Sequence, residues 1–186
     1  MPTSTARLLP PTQADLSWLL PLARRIFCDA FEAYYRPDHF WGYVDRAFTE
    51  AIWRAELRDP QSEFQVVWQG DTPVGYLKLS WDPAHQPAAL TTPNALEVAR
   101  FYLDFAHHGS GLAQQMMDHA LRRAREQRRA GLWLGVWQRN DRAMGFYRKN
   151  GFDIIGTHPF EMGAGLIEDD FVMYRPLDHP VAAESD

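Results

Sequence analysis

The stretch His108-Gly109-Ser110-Gly111-Leu112-Ala113 lies between a strand-like run, Leu96 to Leu103, and a strongly helical one, Leu112 to Ala130. A strand, a tight glycine turn and a helix start gather unpaired backbone N–H groups and the positive end of a helix dipole at one point. Glycine also lets another molecule approach the main chain closely. Such a turn is suited to gripping a phosphate, so the expected ligand is anionic. Spacing excludes other loops. A dinucleotide fingerprint would need Gly or Ala where Gln114 stands, and the Gly-Lys-Ser/Thr of a P-loop is absent. A nucleophile elbow needs one residue between glycine and serine, whereas Gly109 abuts Ser110.

What remains resembles the acetyl-CoA pyrophosphate loop of the GNAT superfamily of N-acetyltransferases, whose pattern is Gln/Arg-x-x-Gly-x-Gly/Ala. Gly111 and Ala113 match, and His108 replaces the usual Gln or Arg. That departure matters little if the loop binds through backbone amides. A second segment, Asn140-Asp141-Arg142-Ala143-Met144-Gly145-Phe146-Tyr147-Arg148-Lys149-Asn150-Gly151-Phe152, resembles the family's asparagine after a strand, then a short helix carrying tyrosine, then Gly-Phe. The segments come in the family's order, one long helix and one strand apart. Arg100-Phe101-Tyr102, His108-Gly109 and Glu50 to Pro60 look most like a bacterial branch that includes polyamine or diamine acetyltransferases.

The resemblance implies an acetyl-CoA-dependent N-acetyltransferase acting on a primary amine by direct transfer in a ternary complex. A small amine or polyamine is the first acceptor and a protein amine the next; the rival class is a non-catalytic acyl-CoA sensor or partner-binding module. Transfer from a thioester needs a neutral amine, stabilisation of an oxyanion, and a proton for the departing thiolate. Tyr147, seven residues after Asn140, is the implied proton donor. Asn140 orients the pantetheine arm or caps the helix that follows, since an amide donates and accepts at once. The family's central strand splays from its neighbour and pairs with the pantetheine arm, which places Phe101, Tyr102 and Leu103 there as backbone partners. Leu103 N–H is the nearest oxyanion donor. Some branches carry a glutamate on the next strand where Gly135 stands here, so Glu97 is the remaining candidate base, unless a water chain carries the proton. Tyr34, Tyr35 and Trp41, in a loop rich in aromatics, read as core under a helix corner or as the acceptor-pocket wall. His107, His108 and His119 lack carboxylate or cysteine partners at ligand spacing, so no metal is expected.

The elements that must position these groups follow from periodicity. Ala6 to Leu9 reads as a short strand, and Thr12 with Asp15 as a helix cap. Leu16, Leu19, Leu20, Ala23, Ile26, Phe27, Ala30 and Phe31 mark one helix stripe, which Pro21 should kink or delay. A second helix is expected from about Asp38 to Leu57, with Val44, Phe48, Ala51, Ile52 and Ala55 inside. Phe64 to Gln69 and Val74 to Trp81 form a hairpin through Gly70-Asp71, and Pro83 to Asn94 is a loop. Ala95 to Leu103 is the central strand. Leu112, Met116, Met117, Ala120, Leu121 and Ala124 stripe the next helix, which Gly131 should close, with Arg122, Arg123, Arg125, Arg128 and Arg129 on a solvated face. Leu132 to Trp137, Phe152 to Thr157 and Phe171 to Arg175 are strands, and Arg142 to Asn150 is a short helix. The expected architecture is a mixed α/β GNAT fold with six to seven strands flanked by four helices. It forms one domain over residues 1–177 with a polar tail over 178–186.

Bulk properties agree with that frame. The chain has 186 residues, 46% of them hydrophobic, enough for one well-buried core. A formal net charge of −5 gives no electrostatic case for nucleic acid or an anionic membrane and favours a cationic substrate. Cys28 is the only cysteine, which excludes an intramolecular disulfide and a cysteine-based zinc site. Without a signal-like start or a membrane-length apolar run, the protein is expected in the cytoplasm, possible homodimerisation following the family's habit of pairing through its last strands.

Overall fold

The computed structural model describes residues 6–163 and 165–177; the expected polar tail lies outside the described residues. Among the described residues, seven strands form one sheet in the order β1-β2-β3-β4-β5-β7-β6. They are β1 (Ala6–Leu9), β2 (Ser62–Gln69), β3 (Thr72–Ser80), β4 (Leu96–Leu103), β5 (Gly131–Trp137), β6 (Asp153–Gly163) and β7 (Leu166–Pro176). Only β4 and β5 run parallel. The described residues also form five α-helices: α1 (Leu16–Phe31), α2 (Pro37–Ala47), α3 (Glu50–Glu56), α4 (Leu112–Glu126) and α5 (Asp141–Lys149). One face of the sheet buries α4 and α5 around Leu96, Leu112, Met116, Met117, Leu134 and Phe152. The other buries α1 and α3 around Leu19, Ala23, Trp53 and Tyr76.

Three boundaries differ from the periodic reading. The helix expected over Asp38 to Leu57 is two helices, because the chain leaves helical geometry at Phe48 and restarts at Thr49, whose hydroxyl accepts from Ile52 N–H at 3.3 Å. The restart rotates the inner face: Trp53 is fully buried while Ile52 is exposed. Helix α4 stops at Glu126 rather than at Gly131, with Arg128 at φ +52°, and Gly131 instead opens β5. There a side chain would strike Arg175 O and the Tyr174 ring at 2.5 Å. The last two strands are longer than expected and carry the β6–β7 hairpin up to α2, where His39 Nδ1 meets Gly163 O at 3.1 Å. Helix α1 runs through Pro21, and Thr12 is tied to the Asp15 carboxylate by its N–H and its hydroxyl, both at 2.7 Å.

Part of the arginine face of α4 is neutralised by β2. Glu63 accepts from Arg123 Nε at 2.7 Å and from His119 Nε2 at 2.9 Å. Arg122 lies on the other side of the same ring, its guanidinium 2.8 Å from His119 Nδ1. Burial alone would raise the Glu63 pKa, but hydrogen bonds from His119, Arg123 and Gln65 outweigh it and hold the carboxyl at about 2. A carboxyl depressed in the folded state stabilises above its unfolded value near 4.5, and that contribution is lost as pH falls toward 2. Glu63→Gln is therefore expected to cost about 1–2 kcal/mol at pH 7 after allowance for solvent screening, with the difference from wild type vanishing near pH 2. Urea titrations at pH 7 and in acid check this; an equal cost at both would refute it.

Candidate active site

The site is a split in the sheet. Strands β4 and β5 pair only at Leu96↔Leu132 and Glu97↔Trp133. On the other edge of β4, Lys78 faces Arg100 and Leu79 faces Val98, so Ala99 is an extra, bulged residue where β4 turns away from β5. Arg100 anchors the bulge. Its guanidinium makes two bonds to Glu56, at 2.5 and 2.9 Å, and lies 4.6 Å from the centre of the Trp53 ring. Beyond the bulge, Asp104 N–H donates to Val74 O at 2.8 Å, which sets the alternation of the β3–β4 ladder. Tyr102 is then bonded through its main chain to Tyr76, while the N–H and C=O of Phe101 and Leu103 point into the split. Tyr102 thus cannot be a backbone partner for a molecule in the split, as the sequence reading had it. Its ring lies on the opposite side, stacked on Tyr76 at 5.3 Å.

The glycine turn closes the wide end of the split. Gly109 and Gly111 take φ +78° and +85°, and a side chain at either would meet nothing within 4 Å. Amides of Gly109, Gly111, Leu112 and Ala113 donate to no acceptor among the described residues, so at least these converge free on the start of α4. Two others are spent internally: His108 N–H on Phe105 O and Ser110 N–H on His107 O. The Ser110 hydroxyl also donates to His107 O, at 2.5 Å. His108 Nε2 donates to Leu103 O at 2.9 Å, tying the loop to the end of β4 and leaving Leu103 N–H to face the split. Its Nδ1 is buried without a partner, and burial lowers its pKa, which keeps the ring neutral. Where the family pattern has Gln or Arg, the imidazole braces the loop.

Helix α5 supplies the phenol. Asn140 caps it, its Oδ1 accepting from Ala143 N–H at 3.1 Å, and its amide nitrogen has no partner among the described residues. Tyr147 is 7% exposed and packs edge-on against Phe101 with ring centres 6.0 Å apart. Its hydroxyl makes no hydrogen bond to a described residue, and burial pushes its pKa above 10, so it is a proton carrier at neutral pH. Glu97 lies at the closed end of the split. Its Oε2 is buried without a hydrogen bond, 3.5 Å from His85 Nδ1, and burial raises its pKa against the pull of His85 and Lys78.

Across the split lies an aromatic wall built from the segment between α1 and α2, from α2, from the end of β5 and from the β6–β7 hairpin. Tyr34 and Tyr35 meet at Trp137, with ring centres 4.9 and 5.8 Å away. Tyr35 donates its phenol to Glu168 at 2.5 Å, which also accepts from Trp137 Nε1 at 3.1 Å. Trp41, grouped with these tyrosines by the sequence reading, faces elsewhere: it lies under Arg24 at 5.3 Å in an outer groove with Pro21 and Cys28. Its place is taken by Tyr43, Tyr102 and Trp137, and two carboxylates, Glu168 and Asp170, join the wall from β7. The sequence expects the last strand to open at Phe171, whereas β7 opens at Leu166, and Glu168-Asp169-Asp170 carries no hydropathy alternation to mark the inward residues.

Residues 28–152 match the profile described as "Acetyltransferase (GNAT) family". The chain belongs to this family. An uncharacterized N-acetyltransferase of Mycobacterium bovis is 32% identical over 88% of this GNAT chain and 98% of its own length. The peptidyl-lysine N-acetyltransferase YjaB of Escherichia coli is 31% identical over 59% of the chain and 66% of its own. The fold is that of the crystal structure of PaiA N-acetyltransferase from Thermoplasma acidophilum in complex with coenzyme A, at a TM-score of 0.75, 18% identity, and coverage of 93% and 99%.

As a GNAT member, the protein is an acetyl-CoA-dependent N-acetyltransferase. The free amides of the turn suit the diphosphate of that cosubstrate, and the open edge of β4 suits its amide-bearing arm. Among the described residues no three metal-ligating side chains come together, and no helix is long and apolar enough to cross a membrane.

Proposed function

We propose that the enzyme acetylates a small cationic primary amine, a polyamine or similar, by direct transfer within a ternary complex. The observation that carries this reading is the aromatic wall of Tyr34, Tyr35 and Trp137 on the face where Asp170 stands without a hydrogen bond or ion pair to a described side chain, so that aromatic faces and an unpaired carboxylate attract an ammonium by cation–π and charge interactions. Phe101 holds the pantetheine arm through its main chain, and Leu103, whose carbonyl is bonded to His108, meets the thioester end through its N–H. The turn from His108 to Ala113 holds the diphosphate, with Gly109, Gly111, Leu112 and Ala113 as donors and His108 and Ser110 as braces. Asn140 holds α5 in register through its cap and offers its free amide to the arm, Leu103 N–H receives the oxyanion, and Tyr147 protonates the leaving thiolate. Direct transfer is supported by the position of the lone thiol: Cys28 lies in the outer groove beside Trp41, with burial raising its pKa, and supplies no nucleophile to the split. A lysine side chain on a protein is the second reading, favoured by the likeness to YjaB.

Thiol release from acetyl-CoA, measured with spermidine, putrescine, tyramine and a lysine-containing peptide, decides between them. The small-amine reading expects kcat/KM for spermidine or putrescine at least about tenfold above that for the peptide, a preference of about 1.4 kcal/mol. The reverse order would transfer the assignment to protein lysine.

A further inference from the structure

An amine that arrives as an ammonium must lose a proton before it can attack, and the group that takes it must face the amine and be free of other bonds. Three carboxylates come into question, Glu97 on β4 and Glu168 and Asp170 on β7 beside the aromatic wall, and they differ in this respect. Glu168 is spent on Tyr35, Trp137 and Arg139. Glu97 is enclosed at the closed end beside His85. Asp170 stands level with Trp137 on β5 and with His158 on β6, and makes no hydrogen bond or ion pair with any described residue. Its strand position puts it on the same face as Glu168, toward the aromatic wall. The phenols of Tyr35 and Tyr43 both feel its charge. Tyr43 and Tyr102 lie together around Phe27, with ring centres 5.3 and 6.0 Å from it. Next to Trp137 the strand is bare. Gly135 has no side chain, and one placed there would lie 2.6 Å from His158 Nε2, so β6 and β7 fill the space that a residue of β5 would otherwise hold.

Resting on the acetyl-transfer reading above, we propose that Asp170 is the catalytic base, a carboxylate delivered from β7 that takes the proton of the acceptor ammonium. Asp170 removes one proton from R–NH3+, and the freed lone pair forms the C–N bond to the thioester carbon. Collapse of that adduct breaks the C–S bond, and the thiolate sulfur takes the proton of Tyr147. The nitrogen still carries one proton more than an amide needs. It passes to the tyrosinate, restoring Tyr147, and Asp170 returns its own proton to water. The sum is an ammonium and a thioester giving an amide, a thiol and one proton.

Charges around Asp170 poise it for this. Burial, then Glu168 and Asp169, raise its pKa to about 6. From β6, His158 faces it with Nδ1 3.2 Å from Pro159 O; Tyr35, just before α2, and Tyr43 on α2 face it as neutral phenols. Arg139 is held by Glu168 and the Trp137 ring. The base is thus ionised above pH 6, and kcat/KM is expected to fall about tenfold per pH unit below it.

The test compares wild type, Asp170→Asn, Asp170→Glu and Glu97→Gln across pH 5–9 with the fastest amine of the panel, alongside acetyl-CoA affinity by calorimetry. Expected is a loss of about 10²-fold or more in kcat for Asp170→Asn with acetyl-CoA affinity unchanged, disappearance of the acidic limb, and partial recovery in Asp170→Glu. In the wild-type protein, carbon NMR of labelled aspartate carboxyls should show one group titrating near pH 6 that is missing from Asp170→Asn. Full turnover with the limb intact in Asp170→Asn, loss of the limb in Glu97→Gln instead, or titration of Asp170 near 4 would each overturn the proposal while leaving acetyl transfer in place. A wild-type protein that binds acetyl-CoA but releases thiol with no amine would overturn the acceptor reading and this base with it.

Discussion

Tyr147→Phe is expected to lower kcat by about 10²–10⁴ while acetyl-CoA binds as tightly as to the wild type. The phenylalanine keeps the ring contacts with Phe101, Phe146 and Phe152, so the fold loses little. No described group donates to or accepts from the hydroxyl, so its removal leaves no buried partner unsatisfied. What the variant lacks is one proton at the point where the C–S bond breaks. Burial raises the phenol pKa, so the proton is present on Tyr147 throughout the neutral range. Steady-state kinetics with calorimetric binding of acetyl-CoA separates the two quantities. A variant that turns over at the wild-type rate removes Tyr147 from the chemistry, and one that loses affinity instead assigns it to binding.

The cofactor half of the site was legible in the sequence because it is local. A glycine turn before a periodic helix, and an asparagine before a short one, carry their geometry in adjacent residues, and family membership bears out the fold and cosubstrate read from them. The acceptor half was less legible because it is assembled from separated segments. Asp170 gains its place from register with Trp137 and His158, which no spacing along the chain encodes. Long exposed strands in the β6–β7 hairpin, with Ile154, Ile155 and Ile167 facing out, blur the alternation that would have announced it. Trp41 failed for a related reason. Aromatic composition leaves core and pocket wall open alike, and the three-dimensional path of α2 decides which rings face the split and which face Arg24. Tyr102 was misread one level lower: residue type and position were right, but main-chain direction alternates along a strand, and the pairing of Asp104 with Val74 was needed to fix the phase.

Gly111→Val should weaken acetyl-CoA binding about 10²-fold or more and change kcat at saturation far less. The space around Gly111 is empty, so no clash is involved. The cost comes from φ +85°, which a β-branched residue avoids by swinging to negative φ at a gain of about 1–3 kcal/mol. That swing redirects the Gly111 and Leu112 amides away from the point where the turn's donors converge. Each hydrogen bond to a charged phosphate that is lost is worth about 1.5–3 kcal/mol, so losing two accounts for the expected factor. Gly111→Ala, with a smaller conformational penalty, should fall between, near tenfold. Ser110→Ala is the control: its N–H and hydroxyl are already occupied by His107 O, so affinity should stay within about threefold. Calorimetric titration of the three variants orders them. If Gly111→Val bound acetyl-CoA like wild type, the diphosphate would have to be held by side chains rather than by the amides at the start of α4.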